Sequence, residues 1–396
     1  MDDLLAILGR SRRMFSRNVE REKDRLAERV DGATFLVLGG AGSIGQQVVR
    51  EIFARKPGSL HVVDISENNL VELVRDLRSS LGYIPGDFKT LPLDCGSPEF
   101  DSFLKARKPY DYILNLSALK HVRSEKDPYT LMRMIRVNIL NTESTVAYAI
   151  RSKSRKYFAV STDKAVNPAN AMGATKRVME LCLLRASRQV PVSTARFANV
   201  AFSDGSLLHG FRMRLQKRQP IAAPRDVRRY FMTAEEAGQI CLMSCLLGDN
   251  RELFFPKPGQ ELLLTDFPGI ATRFLNSQGY EVEACSTEEE ARRRIDELLP
   301  RKKWPCYFFD SDTQGEKEAE EFFSPDEDVD LDRFLDIGVI RNPLPADFTR
   351  VEEFLAGIQK LLDAGRWDKG DLAELLLRTV PEFQHKAAGR SLDDRM

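Results

Sequence analysis

The stretch Thr34-Phe35-Leu36-Val37-Leu38-Gly39-Gly40-Ala41-Gly42-Ser43-Ile44-Gly45 decides how the rest of the chain is read. Five residues rich in apolar and β-branched side chains are followed by glycines at 39, 42 and 45, and then by the amphipathic run QQVVREIFARK. That order is strand, tight turn, helix. Next, Leu60 to Val63 reads as a second strand and ends in Asp64, about 20 residues beyond the turn, the context a dinucleotide fingerprint requires. Glycines let the turn close and let a pyrophosphate approach the backbone, with its charge on the helix N-terminus that Ser43 and Ile44 open. The Asp64 carboxylate can accept hydrogen bonds from ribose hydroxyls and would repel a 2′-phosphate, which favours NAD over NADP. A glycine motif alone would equally suit a merely structural turn; strand, helix and acid in register favour the cofactor.

Outward from this unit, the pattern repeats. A helix is expected over 67–81 and a third strand over Thr90 to Leu93, leading into Asp94 and Cys95 at the adenine end. A fourth strand, Tyr112 to Leu114, leads into NLSALKHV at 115–122. There Leu116, Ser117 and Ala118 would let the backbone pass under the cofactor. Lys120 and His121 would face the cleft, although a solvated loop pair is the blander reading. One helix is expected from Pro128 to Ser152, carrying Asn138. Strand five, KYFAV at 156–160, precedes STDKAVNPANAMGATKR at 161–177. Thr162, Asp163 and Lys164 thus sit at the carboxyl end of a strand, where open α/β sheets place ligands. A hydroxyl, an acid and an amine side by side can trade protons. Met172 and Lys176 are four apart on the following helix and share one face.

Pro191 to Val200 reads as strand six, with Arg196 and Asn199 as buried polar residues in need of partners. Beyond it lie Arg225, Arg228 and Arg229, which could clamp a diphosphate bidentately or form a solvated basic loop. An apolar helix is expected over Ala234 to Leu247. Its Cys241 and Cys245 are read as buried thiols rather than half a metal site, and no metal is expected.

The 396 residues carry no net charge and are 42% hydrophobic. That gives no hint of nucleic acid or of an anionic membrane surface as partner. No apolar run reaches the ~20 residues that span a bilayer, and the N-terminus lacks the form of a signal peptide, so a cytoplasmic, soluble protein is expected. The fold expected is α/β: a doubly wound parallel Rossmann sheet, a smaller α/β substrate-binding domain, and C-terminal helices. The division is 1–32 as a helical extension, a solvated helix packed loosely on the sheet; 33–205 as the NAD-binding domain; 206–345 as the substrate-binding region, with helix 234–247 packing back; and 346–396 as helices and, beyond Gln384, a disordered tail.

GGAGSIG at 39–45, NLSALKHV at 115–122, the 161–177 motif, RFANV at 196–200, RRYFMT at 228–233 and DSDTQGEKEAEEFF at 310–323 together resemble the extended short-chain dehydrogenase/reductases. More narrowly, they resemble the UDP-N-acetylglucosamine 4,6-dehydratases of the polysaccharide-biosynthesis branch. The resemblance implies a UDP- or GDP-sugar substrate, NAD and a homo-oligomer. It implies oxidation at C4, proton loss at C5, departure of the C6 hydroxyl and return of hydride to C6. It places the acid that helps water leave at Asp163, the C5 base at Lys164, a C4-oxygen hydrogen bond at Thr162 and a ribose-binding lysine at Lys176. Lys120, His121, Asn199, Arg225 and Arg229 fall on the substrate side. Met172 stands where the superfamily's Tyr belongs, as in one subgroup of the branch, so Thr162 or Asp163 would relay the C4 proton. Lys176 and the nicotinamide cation would lower the pKa of Lys164. An epimerase or 4-ketoreductase on the same fold, and a non-catalytic NAD-binding module, are the alternatives.

Overall fold

A computed structural model describes residues 3–259, 262–311, 320–342, 344–345 and 347–384. The first six strands are β1 (Thr34–Leu38), β2 (Ser59–Asp64), β3 (Asp87–Pro92), β4 (Tyr112–Asn115), β5 (Lys156–Val160) and β6 (Val192–Ala195). All six are parallel, in the spatial order β3-β2-β1-β4-β5-β6. The chain winds outward from β1 to β3, then returns to β4 on the other side. The strand order therefore reverses between β1 and β4, and the crevice that opens there is where such sheets bind ligands. Leu38 pairs with Asn115, Asn115 with Ala159 and Val160 with Ala195. This register brings the segments beginning at Gly39, Leu116, Ser161 and Arg196 to one edge.

The expected sixth strand, 191–200, is broken. Arg196 is fully buried and turns to the carboxylates of Glu180 and Glu327, so the chain leaves the sheet there. Asn199–Val200 forms β7 in a different sheet, alongside β9 (Arg228–Met232) and β11 (Leu264–Asp266). A third sheet joins β8 (Ile221–Pro224), β12 (Glu281–Cys285) and β13 (Lys303–Phe309). The large sheet is not purely parallel. After β6 it continues with β10 (Glu252–Pro256), parallel to β6, and then with two antiparallel strands, β14 (Asp328–Asp330) and β15 (Ile337–Arg341).

The expected helix 128–152 comprises Pro128–Ile135, a π-helical turn Arg136–Leu140, and Asn141–Ser152. The wider turn, a common device at functional sites, carries Asn138. Helix Ala171–Ala186 is capped by Asn170, whose side chain accepts the Gly173 amide. A Cβ on Gly173 would lie 2.2 Å from the Lys164 carbonyl, so the 163–165 turn can sit against this helix only because residue 173 is glycine.

The N-terminal extension is anchored rather than loose. It forms helices Asp3–Ile7, Ser16–Arg21 and Lys23–Val30, with Phe15, Leu26 and Val30 fully buried. Arg10 pairs with Glu236 in the interior, and the same carboxylate accepts the Met14 amide. Met14, Leu26 and Val30, a sparse apolar stripe amid dense charge, are all buried. At the other end, helices Thr349–Ala364 and Lys369–Thr379 pack on 171–186 and 128–135. The expected tail beyond Gln384 and the Gly315-Glu316-Lys317 segment lie outside the described residues. Among the described residues, no helix is long and apolar enough to cross a membrane.

Candidate active site

The glycine turn is held by close backbone approaches. Gly39 has φ +70°, and a Cβ there would lie 2.6 Å from the Ser117 amide. A Cβ on Gly45 would lie 2.2 Å from the Gly39 carbonyl. Gly42 differs: its φ is −74°, and a Cβ would meet nothing nearer than 3.5 Å. Neither conformation nor packing asks for glycine at 42. What it preserves is open space in front of the helix Ser43–Ala54, where an anionic group would sit. Asp64 accepts the Ala41 and Ser66 amides, each at 2.9 Å, one on each oxygen. Each oxygen keeps a lone pair for a further donor. Ile44 and Leu116 pack on the core beneath. The chain's own residues therefore fit a dinucleotide.

Asp94 follows β3 and accepts from Gly96 N and Arg133. Burial pushes its pKa up, but these donors outweigh that and hold it below the ordinary value. Cys95 is buried beside Asn141. Ser117 donates its amide to Asn115. Ala118 lies in the loop that Asn138 clamps: the Asn138 amide accepts from Leu119 N and donates to Leu119 O and Thr175 Oγ1, all at 3.0 Å. Nothing in the sequence reading gave Asn138 this role; the available signal was a buried amide in an apolar helix.

At the end of β5 the proton-bearing groups converge. Thr162 Oγ1 donates to Asp163 Oδ1 at 2.7 Å, and Lys164 Nζ donates to the same oxygen at 3.3 Å. Lys164 departs from expectation. Burial pulls its pKa down, but the Asp163 and Glu320 carboxylates outweigh burial and raise it above the ordinary value. Lys176, by contrast, has its pKa lowered to about 8 by burial against an opposing contribution from Glu180. Its Nζ lies 3.2 Å from the Val160 carbonyl. Met172 is buried, and its amide donates to Glu125 at 2.9 Å.

Glu320 is the site residue that sequence reasoning missed. Its side chain is 3% exposed. One oxygen accepts the Tyr230 amide at 2.7 Å and the other accepts from Asn199, with Arg229 Nε 3.9 Å away. Burial and the Asp163 charge raise its pKa to about 7, against Lys164, Tyr230 N and Arg229. The sequence offered only an acid in an acidic run.

Lys120 Nζ donates to Ser203 at 3.3 Å, and desolvation lowers its pKa. His121 lies against Gly205, where a Cβ would be 2.6 Å from Nε2. The arginines do not act as one clamp. Arg225, with its side chain 59% exposed, makes a bidentate pair with Asp310 at 2.7 Å. Arg229, 12% exposed, turns to Glu320 instead.

Residues 35–339 match the family described as polysaccharide biosynthesis protein. The chain belongs to that family. Its curated relatives include an uncharacterized membrane protein of Methanocaldococcus jannaschii, 32% identical over 57% of this chain and 66% of its own length. An inverting UDP-N-acetylglucosamine 4,6-dehydratase of Campylobacter jejuni is 26% identical over 57% of this chain and 67% of its own. A UDP-glucose 4-epimerase of Rickettsia rickettsii is 28% identical over 57% and 66%. The chain spans 45 to 66% of the length of the first three relatives it matches. Among solved structures, Pen from Bacillus thuringiensis shares the fold with a TM-score of 0.65 at 21% identity, over 85% of this chain and 98% of that one.

Proposed function

We propose that this chain is an NAD-dependent nucleotide-sugar 4,6-dehydratase, acting on a UDP- or GDP-linked N-acetylhexosamine to give the 4-keto-6-deoxy sugar nucleotide. The observation that carries the reading is the buried Asp163 with Lys164 and Thr162 hydrogen-bonded to it, at the strand ends beside the glycine turn. C4 chemistry alone needs one proton acceptor; loss of water across C5 and C6 needs an acid and a base together. Gly39, Gly42, Gly45 and Asp64 would hold the dinucleotide, with the 94–95 segment at adenine and Lys176 at the ribose. When bound, the cofactor accepts hydride from C4 and returns it to C6.

Thr162 receives the C4 hydroxyl proton in this reading and passes its own to Asp163, with which it is already hydrogen-bonded. Asp163 then donates to the leaving C6 hydroxyl, and Lys164 faces the C5 proton. Lys120, His121, Asn199 and Arg229 belong to the sugar-nucleotide side, and the geometry favours Arg229 over Arg225 for the diphosphate. The test is a panel of UDP- and GDP-sugars followed by mass spectrometry. The expected product has lost one water, with no net NADH. An epimerised sugar of unchanged mass, or steady accumulation of NADH, would overturn the reading. Lys164→Ala should abolish water loss while leaving transient NADH absorbance.

A further inference from the structure

Ser203-Asp204-Gly205 has no part in the reaction above, yet it touches both walls of the cofactor crevice. On the β1 side, Ser43 Oγ donates to Asp204 Oδ2 and the Asp204 amide donates back to Ser43 Oγ, each at 3.0 Å. On the β4 side, Lys120 Nζ donates to Ser203 Oγ at 3.3 Å. Gly205 there lies so close to His121 that a Cβ would stand 2.6 Å from Nε2. The segment therefore spans the crevice between β1 and β4, from the first turn of the helix Ser43–Ala54 to the loop after β4. Both of its ends are built in. Phe202, buried at φ +55°, lies under the Arg212 guanidinium, whose carbon is 4.3 Å from the ring centre. Ser206 caps the next helix, Leu207–Gln216, by accepting the His209 amide.

The side chain at the centre of this span is an acid, and it sits where an anion is favoured. A helix N-terminus attracts negative charge, and Ser43 offers its hydroxyl there. The Asp204 carboxylate takes that hydroxyl. A hydroxyl has one proton to donate, so a pyrophosphate oxygen receives it only when Asp204 gives it up. Two anions at one helix end also repel each other. The other Asp204 oxygen has His209 Nδ1 at 4.0 Å, beyond a hydrogen bond. Resting on the dinucleotide reading of the glycine turn, we propose that Asp204 is a built-in competitor for the cofactor. Its carboxylate holds the Ser43 hydroxyl and the helix terminus that the NAD pyrophosphate needs, and the dinucleotide binds by displacing it. Tethered in the same chain, the acid competes at a high effective concentration. The affinity for NAD is lowered by the fraction of molecules in which Asp204 is engaged. The side chain is 65% exposed, so it can swing into water without disturbing the core.

Two variants test this. Asp204→Asn removes the charge and keeps an oxygen for Ser43; Asp204→Ala removes both. Calorimetric titration with NAD should give a Kd about tenfold lower in Asp204→Ala, with Asp204→Asn between it and the wild type. Stopped-flow binding should show the gain in the association rate, because in the wild type the acid must leave first. ADP, which carries a pyrophosphate, should gain in the same way. Adenosine, which carries none, should bind all three proteins equally. An NAD affinity unchanged or weakened in Asp204→Ala would overturn the proposal. So would an equal gain for adenosine, which would mean a general loosening of the crevice. Should Asp204→Ala not fold, Asp204→Asn decides by the same comparison. If the wild type and both variants bound neither NAD nor ADP, the dinucleotide reading of the turn would fail instead.

Discussion

The glycine turn and the Asp163–Glu320 cluster lie at the same edge of one sheet, yet different physics holds each in shape. The turn is built from space and backbone: Gly39 and Gly45 permit contacts that any Cβ would forbid, and Asp64 fastens the Ala41 amide. Its parts lie close together in sequence, Ser117 apart. The cluster is built from charge and burial. Its members come from the turn after β5, from β7 and β9, and from residue 320. A site that binds a rigid anion can be preorganised by steric exclusion. A site that moves protons needs buried groups whose charges answer one another, and such groups converge only in the folded chain.

That contrast can be pressed hardest at Glu180, which anchors the charged half. It is wholly buried, and although burial pushes its pKa up, Arg196, Arg177 and Ser161 hold it at about 2. A carboxyl held below its unfolded value stabilises the fold above 4.5 and loses that contribution as pH falls toward 2. The linkage amounts to something on the order of 3 kcal/mol. Glu180→Gln should cost about that much at pH 7 by denaturant titration, and the acid-dependent part of the wild-type loss should disappear. An equally stable variant would mean that the Arg196–Glu327 pair suffices alone.

The turn is probed by two alanines that should part company. Gly45→Ala forces a Cβ against the Gly39 carbonyl and should lose about 1–3 kcal/mol of stability, as overpacking does. Gly42→Ala should melt like the wild type yet lose NAD affinity, read by calorimetry, because only the ligand's space is filled. If both lowered the melting temperature alike, residue 42 would be structural. A smaller effect is expected of Asp64→Asn: NAD over NADP preference should relax toward unity in a competition titration, and an unchanged ratio would place Asp64 away from the ribose. Smallest of all, Arg225→Ala should leave both melting temperature and KM for a UDP-sugar unchanged, since that guanidinium is solvated and engaged with Asp310. A several-fold rise in KM would return Arg225 to the diphosphate.

Of the first five strands, β1, β2, β4 and β5 were legible because each is a short apolar run bounded by turn residues, and a strand buried on both faces leaves that mark in the sequence itself, whereas β3 is a half-exposed edge strand. The glycine turn was legible for the same local reason. What the sequence did not disclose arises at long range. Arg196 interrupts an apolar run, but its carboxylates lie 16 and 131 residues away. Glu320 looks like any acid in an acidic run until burial singles it out. Lys164 carried the right neighbour, Asp163, which does most to raise its pKa, but the second carboxylate that adds to the rise is remote in sequence. The N-terminal helices hid their anchoring because Arg10 meets its partner, Glu236, 226 residues further on.

The two C-terminal helices carry a consequence for self-association. Val351, Phe354, Ile358, Leu372 and Leu376 are buried against Leu131, Ile135, Ala174, Val178 and Cys182, and Trp367 donates to the Pro128 carbonyl at 3.0 Å. The outer surface of the helix that bears Met172 and Lys176 is thus already covered by the chain's own end. A second copy approaching that face meets the helices Thr349–Ala364 and Lys369–Thr379 first. A chain cut short before Thr349 would bare a continuous apolar face and gather into adventitious aggregates.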